Sequence, residues 1–193
     1  MVKFILVRHG EGMHNLAART EGNKAYADPV NRDAHLTATG IAQAKEAGIT
    51  IKRQWPKATA LWCSPLTRCI QTAMNIMDSV EVPANAIYLH DNLLERQRRT
   101  NVCNYRAEVK DIRNAWPQFN ADFVPDVSAQ WVGEEQGHVV KLRMTMLLEH
   151  LKRVYAGAVD PVIIVCHQEA LYEVLGVELK NAEYIVAEFK AKN

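Results

Sequence analysis

The sequence of 193 residues has no long apolar run, glycine-rich nucleotide-binding loop, internal repeat, low-complexity segment or linker. No stretch approaches the ~20 apolar residues that a membrane-spanning helix needs. The apolar run at the N-terminus is too short for a signal-peptide core, and Arg8 interrupts it at once. Cysteine is scarce, with four residues (Cys63, Cys69, Cys103 and Cys166) scattered widely. With no secretory signal they read as reduced thiols in a cytoplasmic protein. Neither sign of charge is in excess. The 23 basic and 22 acidic residues leave a formal net charge of +1, which excludes a general nucleic-acid or membrane-surface binder. Any positive site must therefore be a local concentration of charge. One domain over residues 1–193 is the expectation, and an intracellular enzyme or binding domain is the default class.

The content is that of a globular chain, 48% hydrophobic and 23% charged. Phe4-Ile5-Leu6-Val7 reads as a fully buried strand. Residues 12–32 are polar and punctuated and read as a loop with one helical turn. Thr37 is an N-cap for an alanine-rich helix that ends near Trp55-Pro56. A second strand spans 58–63, and Ser64-Pro65 supplies an N-cap and first-turn proline for a helix over 66–78. Residues 87–89 form a third strand, and 91–136 an inserted cap with some helix. Helical periodicity runs from 135 to 155. The most apolar strand is 161–166, with a helix from about 169 and an edge strand at 184–189. This alternation predicts an α/β three-layer sandwich: a mostly parallel central sheet, an antiparallel edge strand, helices on both faces and a small inserted cap.

Three strand ends deliver polar residues: Arg8-His9 from the first, Arg68 by way of Ser64-Pro65 from the second, and His167 from the late one. In a parallel sheet these ends share one edge, where open α/β sheets bind their ligands. The forked guanidinium groups match phosphate oxygens, and helix N-termini near Arg68 and after His167 add N–H donors. A histidine beside arginines is disfavoured as an imidazolium, which leaves a ring nitrogen free to attack phosphorus. His9 is the candidate nucleophile, its other nitrogen held by a backbone carbonyl in the Gly10 turn. A departing alkoxide needs a proton, and Glu95 is the candidate general acid.

The ordered set Arg8-His9-Gly10 with Asn15, Leu36-Thr37-x-x-Gly40-x-x-Gln43-Ala44, Ser64-Pro65-Leu66-x-Arg68-x-x-Gln71-Thr72-Ala73, Leu94-Glu95 and a late strand ending at His167 resembles the histidine phosphatase superfamily, the phosphoglycerate-mutase-like group. The motifs span residues 4 to about 172. A branch reading RHG-x-G-x-HN, with Cys103-Asn104-Tyr105-Arg106 downstream of the acid, is especially similar. The resemblance implies a phosphohistidine intermediate on His9, with the phosphoryl group held by Arg8, Asn15, Arg68, His167 and Gln168. Glu95 would serve as acid and then base, and neither metal nor cofactor is implied. The implied partner is a small phosphorylated metabolite or a phosphopeptide, with neither nucleic acid nor membrane.

One departure stands out. The family places glycine or another small residue after the second histidine, where this chain has Gln168-Glu169. An inward carboxylate there would repel phosphate. In the first turn of the following helix and facing solvent, Glu169 would instead suit the helix dipole, and that is the reading preferred. Arg96, Arg98, Arg99 and Arg106 form a basic cluster, read either as a solvated loop or as a substrate rim carried by Arg96 and Arg106. Cys63-Ser64-Pro65-Leu66-Thr67-Arg68 resembles the loop of cysteine-dependent phosphatases but is one residue short, so Cys63 reads as core. Cys166 should alternate to the strand face away from the site, and His9 and His14 lack zinc-motif spacing. Three activities stay open: phosphomonoester hydrolysis, phosphoglycerate mutase-type transfer (disfavoured by so compact a chain), and non-catalytic binding of phosphorylated ligands.

Overall fold

The computed structural model describes residues 2–126 and 134–189. The first apolar run is strand β1 (Val2–Arg8). It is buried on both faces because Ile5 and Val7 enter one core cluster while Phe4 and Leu6 enter the other. Strands β2 (Ala60–Cys63) and β5 (Val162–Cys166) are buried throughout. Strands β3 (Ile87–His90), β4 (Asn120–Phe123) and β6 (Tyr184–Phe189) complete a six-stranded sheet in the order β4-β3-β2-β5-β1-β6. All neighbours are parallel except β6, which runs antiparallel to β1 at the edge.

Helices cover both faces. On one side lie α3 (Ala38–Gln54) and α4 (Thr67–Met77), contributing Ile51, Cys69, Ile70 and Ile76 to the core. On the other lie α6 (Gly137–Val154) and α7 (Gln168–Leu175), contributing Val140, Met144, Leu147, Leu151 and Leu171. Thr37 caps α3 as expected, its Oγ1 accepting from the Gly40 amide at 3.0 Å. Gly176 ends α7 in the left-handed conformation that glycine adopts without strain. No described helix is long and apolar enough to cross a membrane.

Three local expectations need correction. Residues 12–32 hold more helix than one turn, namely α1 (Met13–Glu21) and α2 (Lys24–Ala27). Helix α4 is capped at Leu66 rather than Ser64, and its first free amide, that of Thr67, donates to Asp33 Oδ1 at 2.8 Å. The distant aspartate does the work of a local cap, which no spacing rule along the chain detects. The segment 91–136 is also more than a cap. Helix α5 (Val109–Ala115) buries Val109 and Ile112 in the core, and β4 pairs with β3. Residues 127–133 of that segment lie outside the described residues.

Candidate active site

The carboxyl ends of β1, β2 and β5 meet at one edge of the sheet and wall a cavity of about 600 Å³. Its lining includes Arg8, His9, His14, Asn15, Arg68 and Glu95, with Gln168 and Glu169 from α7. His9 follows the last residue of β1 and is 3% exposed. Its amide donates to the Cys166 carbonyl at 3.0 Å, which extends the β1–β5 ladder by one step. Its Nδ1 stands 2.7 Å from the Gly10 carbonyl oxygen. A carbonyl only accepts, so Nδ1 carries the proton and the lone pair lies on Nε2. Arg68 Nε donates to that atom at 3.3 Å.

The turn holding His9 is fixed from below. The Gly10 amide donates to Thr72 Oγ1 at 3.0 Å and the Glu11 amide to Gln43 Oε1 at 2.9 Å. A Cβ on Gly10 would collide with the Gly40 carbonyl, and one on Gly40 with the Glu11 carbonyl. Two glycines thus let the β1 turn and the start of α3 touch backbone to backbone. Glu11 is buried and accepts from Arg19 and from Thr37 Oγ1.

Arg68 projects from the first turn of α4 and is 1% exposed. Its Nη1 donates to the Cys103 carbonyl at 2.8 Å and its Nη2 to Asn104 Oδ1 at 2.9 Å. Nη2 also lies 3.3 Å from His167 Nδ1. Because a guanidinium has no acceptor, His167 Nδ1 takes that bond and Nε2 keeps the proton, 2.8 Å from Ser64 Oγ. His167 is 0% exposed and is not among the residues that line the cavity, its ring 5.1 Å from that of His9. The contact with Arg68 Nη2 and the closeness to His9 bring His167 together with those two residues.

Arg8 Nη1 donates to the Leu179 carbonyl at 2.6 Å, while its buried Nε has no partner. That donor and the partnerless His14 Nδ1 are two unspent polar atoms in the lining. Asn15 lines the cavity and its Oδ1 accepts from the Gly12 amide at 3.0 Å, leaving its NH2 group uncommitted in the cavity wall. Gln168 also lines it, with Oε1 held by the Leu179 amide at 3.0 Å.

Burial and the neighbouring Arg68 push the His9 imidazole well below the ordinary histidine range, and the same two causes act on His167. His14 is driven down to about 2 by burial, Arg68 and Arg8. These rings are neutral at physiological pH. The Glu95 carboxyl goes the other way, raised by burial and by the nearby Glu169 carboxylate, against the opposing pull of hydrogen bonds from the Arg96 and Glu169 amides. Its Oε1 accepts from the Arg96 amide at 2.8 Å and the Ala170 amide at 3.2 Å, and its Oε2 from the Glu169 amide at 3.3 Å. The N-terminus of α7 is thus occupied by Glu95, as that of α4 is by Asp33. The amides of Thr67, Glu169 and Ala170, expected as donors to a ligand, are instead committed to carboxylates of this chain.

The rim differs from expectation as well. Arg106 turns away to Asp91 at 3.1 Å, and Arg96 to the Glu135 carbonyl at 2.8 Å, and neither lines the cavity. Arg98 does, its two terminal nitrogens each 2.6 Å from a carboxylate oxygen of Glu169. Glu169 does sit in the first turn of α7, but it faces the cavity mouth instead of open solvent. Cys63 and Cys166 are buried in opposite core clusters, and burial raises both thiols, that of Cys166 to about 12. Neither is an available nucleophile. Among the described residues, no group of three or more His, Cys, Asp or Glu side chains is placed to hold a metal ion.

A doubly covered, mostly parallel sheet with a histidine-and-arginine cavity at its carboxyl edge defines the class of α/β protein to which the chain belongs. The sequence matches the histidine phosphatase superfamily (branch 1) over residues 4–186, and the chain belongs to that superfamily. It is 31% identical over 133 residues to a probable phosphoglycerate mutase of Arthroderma benhamiae, a match covering 61% of this chain and 40% of that relative's length. Its fold is similar to that of Bacillus stearothermophilus YhfR, with a TM-score of 0.66 and 17% identity over 98% of this chain and 92% of that one. It is also similar to phosphoserine phosphatase from Entamoeba histolytica in complex with 3-phosphoglyceric acid, with a TM-score of 0.58 and 22% identity over 96% and 90% of the two chains.

Proposed function

We propose that the chain is a phosphomonoesterase that works without a metal ion, through a phosphohistidine on His9. The observation that carries this reading is the fixed tautomer of His9. The Gly10 carbonyl holds Nδ1–H, and the lone pair on Nε2 lies on the Arg68 side of a ring too desolvated to protonate. Arg8 and Arg68 neutralise the phosphoryl oxygens, Asn15 and Gln168 add contacts in the cavity wall, and His167 keeps Arg68 in place.

In the first step Nε2 donates its lone pair to phosphorus, the P–O bond to the alcohol breaks, and Glu95 gives its proton to the departing alkoxide. In the second, Glu95 takes a proton from water as the water oxygen attacks phosphorus. The P–N bond breaks, returning its electron pair to Nε2 and releasing inorganic phosphate. A carboxyl raised by burial keeps its proton to higher pH than an exposed one, and a positioned general acid typically contributes about 100- to 10,000-fold in rate.

The test is hydrolysis of p-nitrophenyl phosphate in EDTA, with quenching in alkaline detergent to trap the phosphoenzyme. The expected result is turnover insensitive to EDTA, an acid-labile and alkali-stable phosphoprotein, and loss of both in His9→Ala. Turnover no greater than that of His9→Ala would overturn the proposal. The similarity to a probable phosphoglycerate mutase favours one second reading, phosphoryl transfer between hydroxyls of phosphoglycerate. It predicts 3-phosphoglycerate conversion that depends on a bisphosphoglycerate primer.

A further inference from the structure

Three charged groups in the cavity lining have roles in the proposed reaction: Arg8, Arg68 and Glu95. Two others, Arg98 and Glu169, are spent on each other. Their contact is a two-toothed fork, the strongest geometry an arginine and a carboxylate adopt. Both side chains are about one third exposed (31% and 34%), so the pair sits at the mouth and partly desolvated. Glu134 stands 3.6 Å from Arg98 Nε and adds a second negative group on the outer side. Glu169 is anchored at its own backbone, whose amide donates to Glu95. The carboxylate therefore stands beside the group that protonates the leaving oxygen, which is where the alcohol part of a substrate must lie.

We infer that the Arg98–Glu169 pair is a charge filter on the leaving alcohol, admitting phosphomonoesters whose alcohol is neutral or zwitterionic and rejecting those with an extra, uncompensated negative charge. This rests on the phosphomonoesterase reading of the same cavity. A neutral alcohol leaves the pair intact. A zwitterion replaces it one for one, its anion taking Arg98 and its ammonium taking Glu169. An alcohol with only a further carboxylate or phosphate must either face Glu169 or pull Arg98 away from it. The second course strands a partly buried carboxylate beside Glu95, and stranding one member of an ion pair costs more than the pair itself contributes. The filter also works against bisphosphates, so it favours hydrolysis over a primed transfer reaction.

The experiment measures kcat/KM for glycerol 3-phosphate (neutral alcohol), phosphoserine (zwitterionic) and 3-phosphoglycerate (anionic) in the wild-type protein and in Glu169→Gln, Arg98→Gln and the double variant. Ratios between substrates cancel any common effect of the substitutions on Glu95. The wild type is expected to prefer the first two over 3-phosphoglycerate by about tenfold or more, a specificity of the size one unmatched charge produces. Glu169→Gln, which frees Arg98 for a substrate carboxylate, should narrow that preference at least fivefold, and Arg98→Gln should widen it. A wild-type preference for 3-phosphoglycerate, or a preference indifferent to Glu169→Gln, would overturn the filter. Calorimetric binding of the same three esters to His9→Ala reads the same order without turnover. The filter thus stands or falls on binding even if no ester is hydrolysed, an outcome that would overturn only the catalytic reading.

Discussion

Glu95 and Glu169 are linked twice, once through a backbone hydrogen bond and once through the repulsion of like charges. The Glu169 amide donates to Glu95 Oε2 at 3.3 Å, while the Glu169 carboxylate works with burial to raise the Glu95 carboxyl. If Glu95 is the proton donor, activity falls as pH rises through its elevated pKa, because the acid form is lost. On the acid side, His9 keeps its lone pair well below the ordinary histidine range. The alkaline limb of the kcat/KM profile should therefore lie above the pKa of an ordinary glutamate. Glu169→Gln removes one raising influence and should move the alkaline limb down by about half a pH unit or more. A limb that stays put, or moves up, would assign it to another group.

Gly40 tests the seating of the nucleophile. An alanine Cβ there lands on the Glu11 carbonyl, a backbone atom that cannot swing aside. Gly40→Ala should cost roughly 1–3 kcal/mol, a fall in Tm of about 3–10 °C for a chain of this size. Because the displaced carbonyl is two residues from His9, kcat should fall with it. Scanning calorimetry and a single-substrate assay read both. Unchanged melting would mean the two loops separate at no cost.

Arg68 makes four polar contacts: His9 Nε2, the Cys103 carbonyl, Asn104 Oδ1 and His167 Nδ1. A lysine keeps the charge but loses the fork. Arg68→Lys should lower kcat/KM by about 100-fold or more, the scale seen when one preorganised donor is removed. Its folded spectrum should remain intact. Activity within tenfold of wild type would reduce Arg68 to a diffuse positive charge.

Acid stability follows from histidines buried as neutral rings. His90 is lowered to about 4 by burial and by His150, and His14 to about 2. Their folded-state values lie below the unfolded one, so the unfolded chain binds protons that the folded chain refuses. The stability they contribute is whole above about pH 6.5 and is lost as pH falls through the window from 6.5 to 4 and below. Each such ring adds at most about 1.4 kcal/mol per pH unit to the slope. Urea unfolding at pH 7 and pH 5 should show a steep loss that His90→Gln makes shallower. An equal slope in that variant would place the linkage elsewhere.

Much of this architecture is legible in the chain itself. Strands β1, β2, β3, β5 and β6 announce themselves as apolar runs, and Thr37 marks the start of α3. Strand β4 does not. Asn120 and Asp122 are poor strand formers, and edge pairing with β3 rather than local propensity makes the strand. At the site, Arg8, His9, Arg68 and Glu95 can be picked from strand ends and motif order. Which arginine of the cluster 96–106 faces the cavity cannot, because the choice depends on where Asp91, Glu135 and Glu169 stand in space. His167 is legible as a residue near the site, but its complete burial is not, since depth below a surface leaves no trace in spacing.

The pairing of β1 with β5 ends at Arg8 opposite Cys166, one step before His9 and His167. The spacing of the two histidines is thus inherited from the distance between neighbouring strands, a quantity nearly the same in every sheet. Slipping β1 against β5 by one residue would turn the His9 ring away from the face that His167 shares, so intermediate spacings do not exist. The chemistry is held by the part of the molecule that tolerates least variation. The Arg98–Glu169 pair at the start of α7 lies outside the β1–β5 pairing, so its charge can change while His9 and His167 keep their spacing.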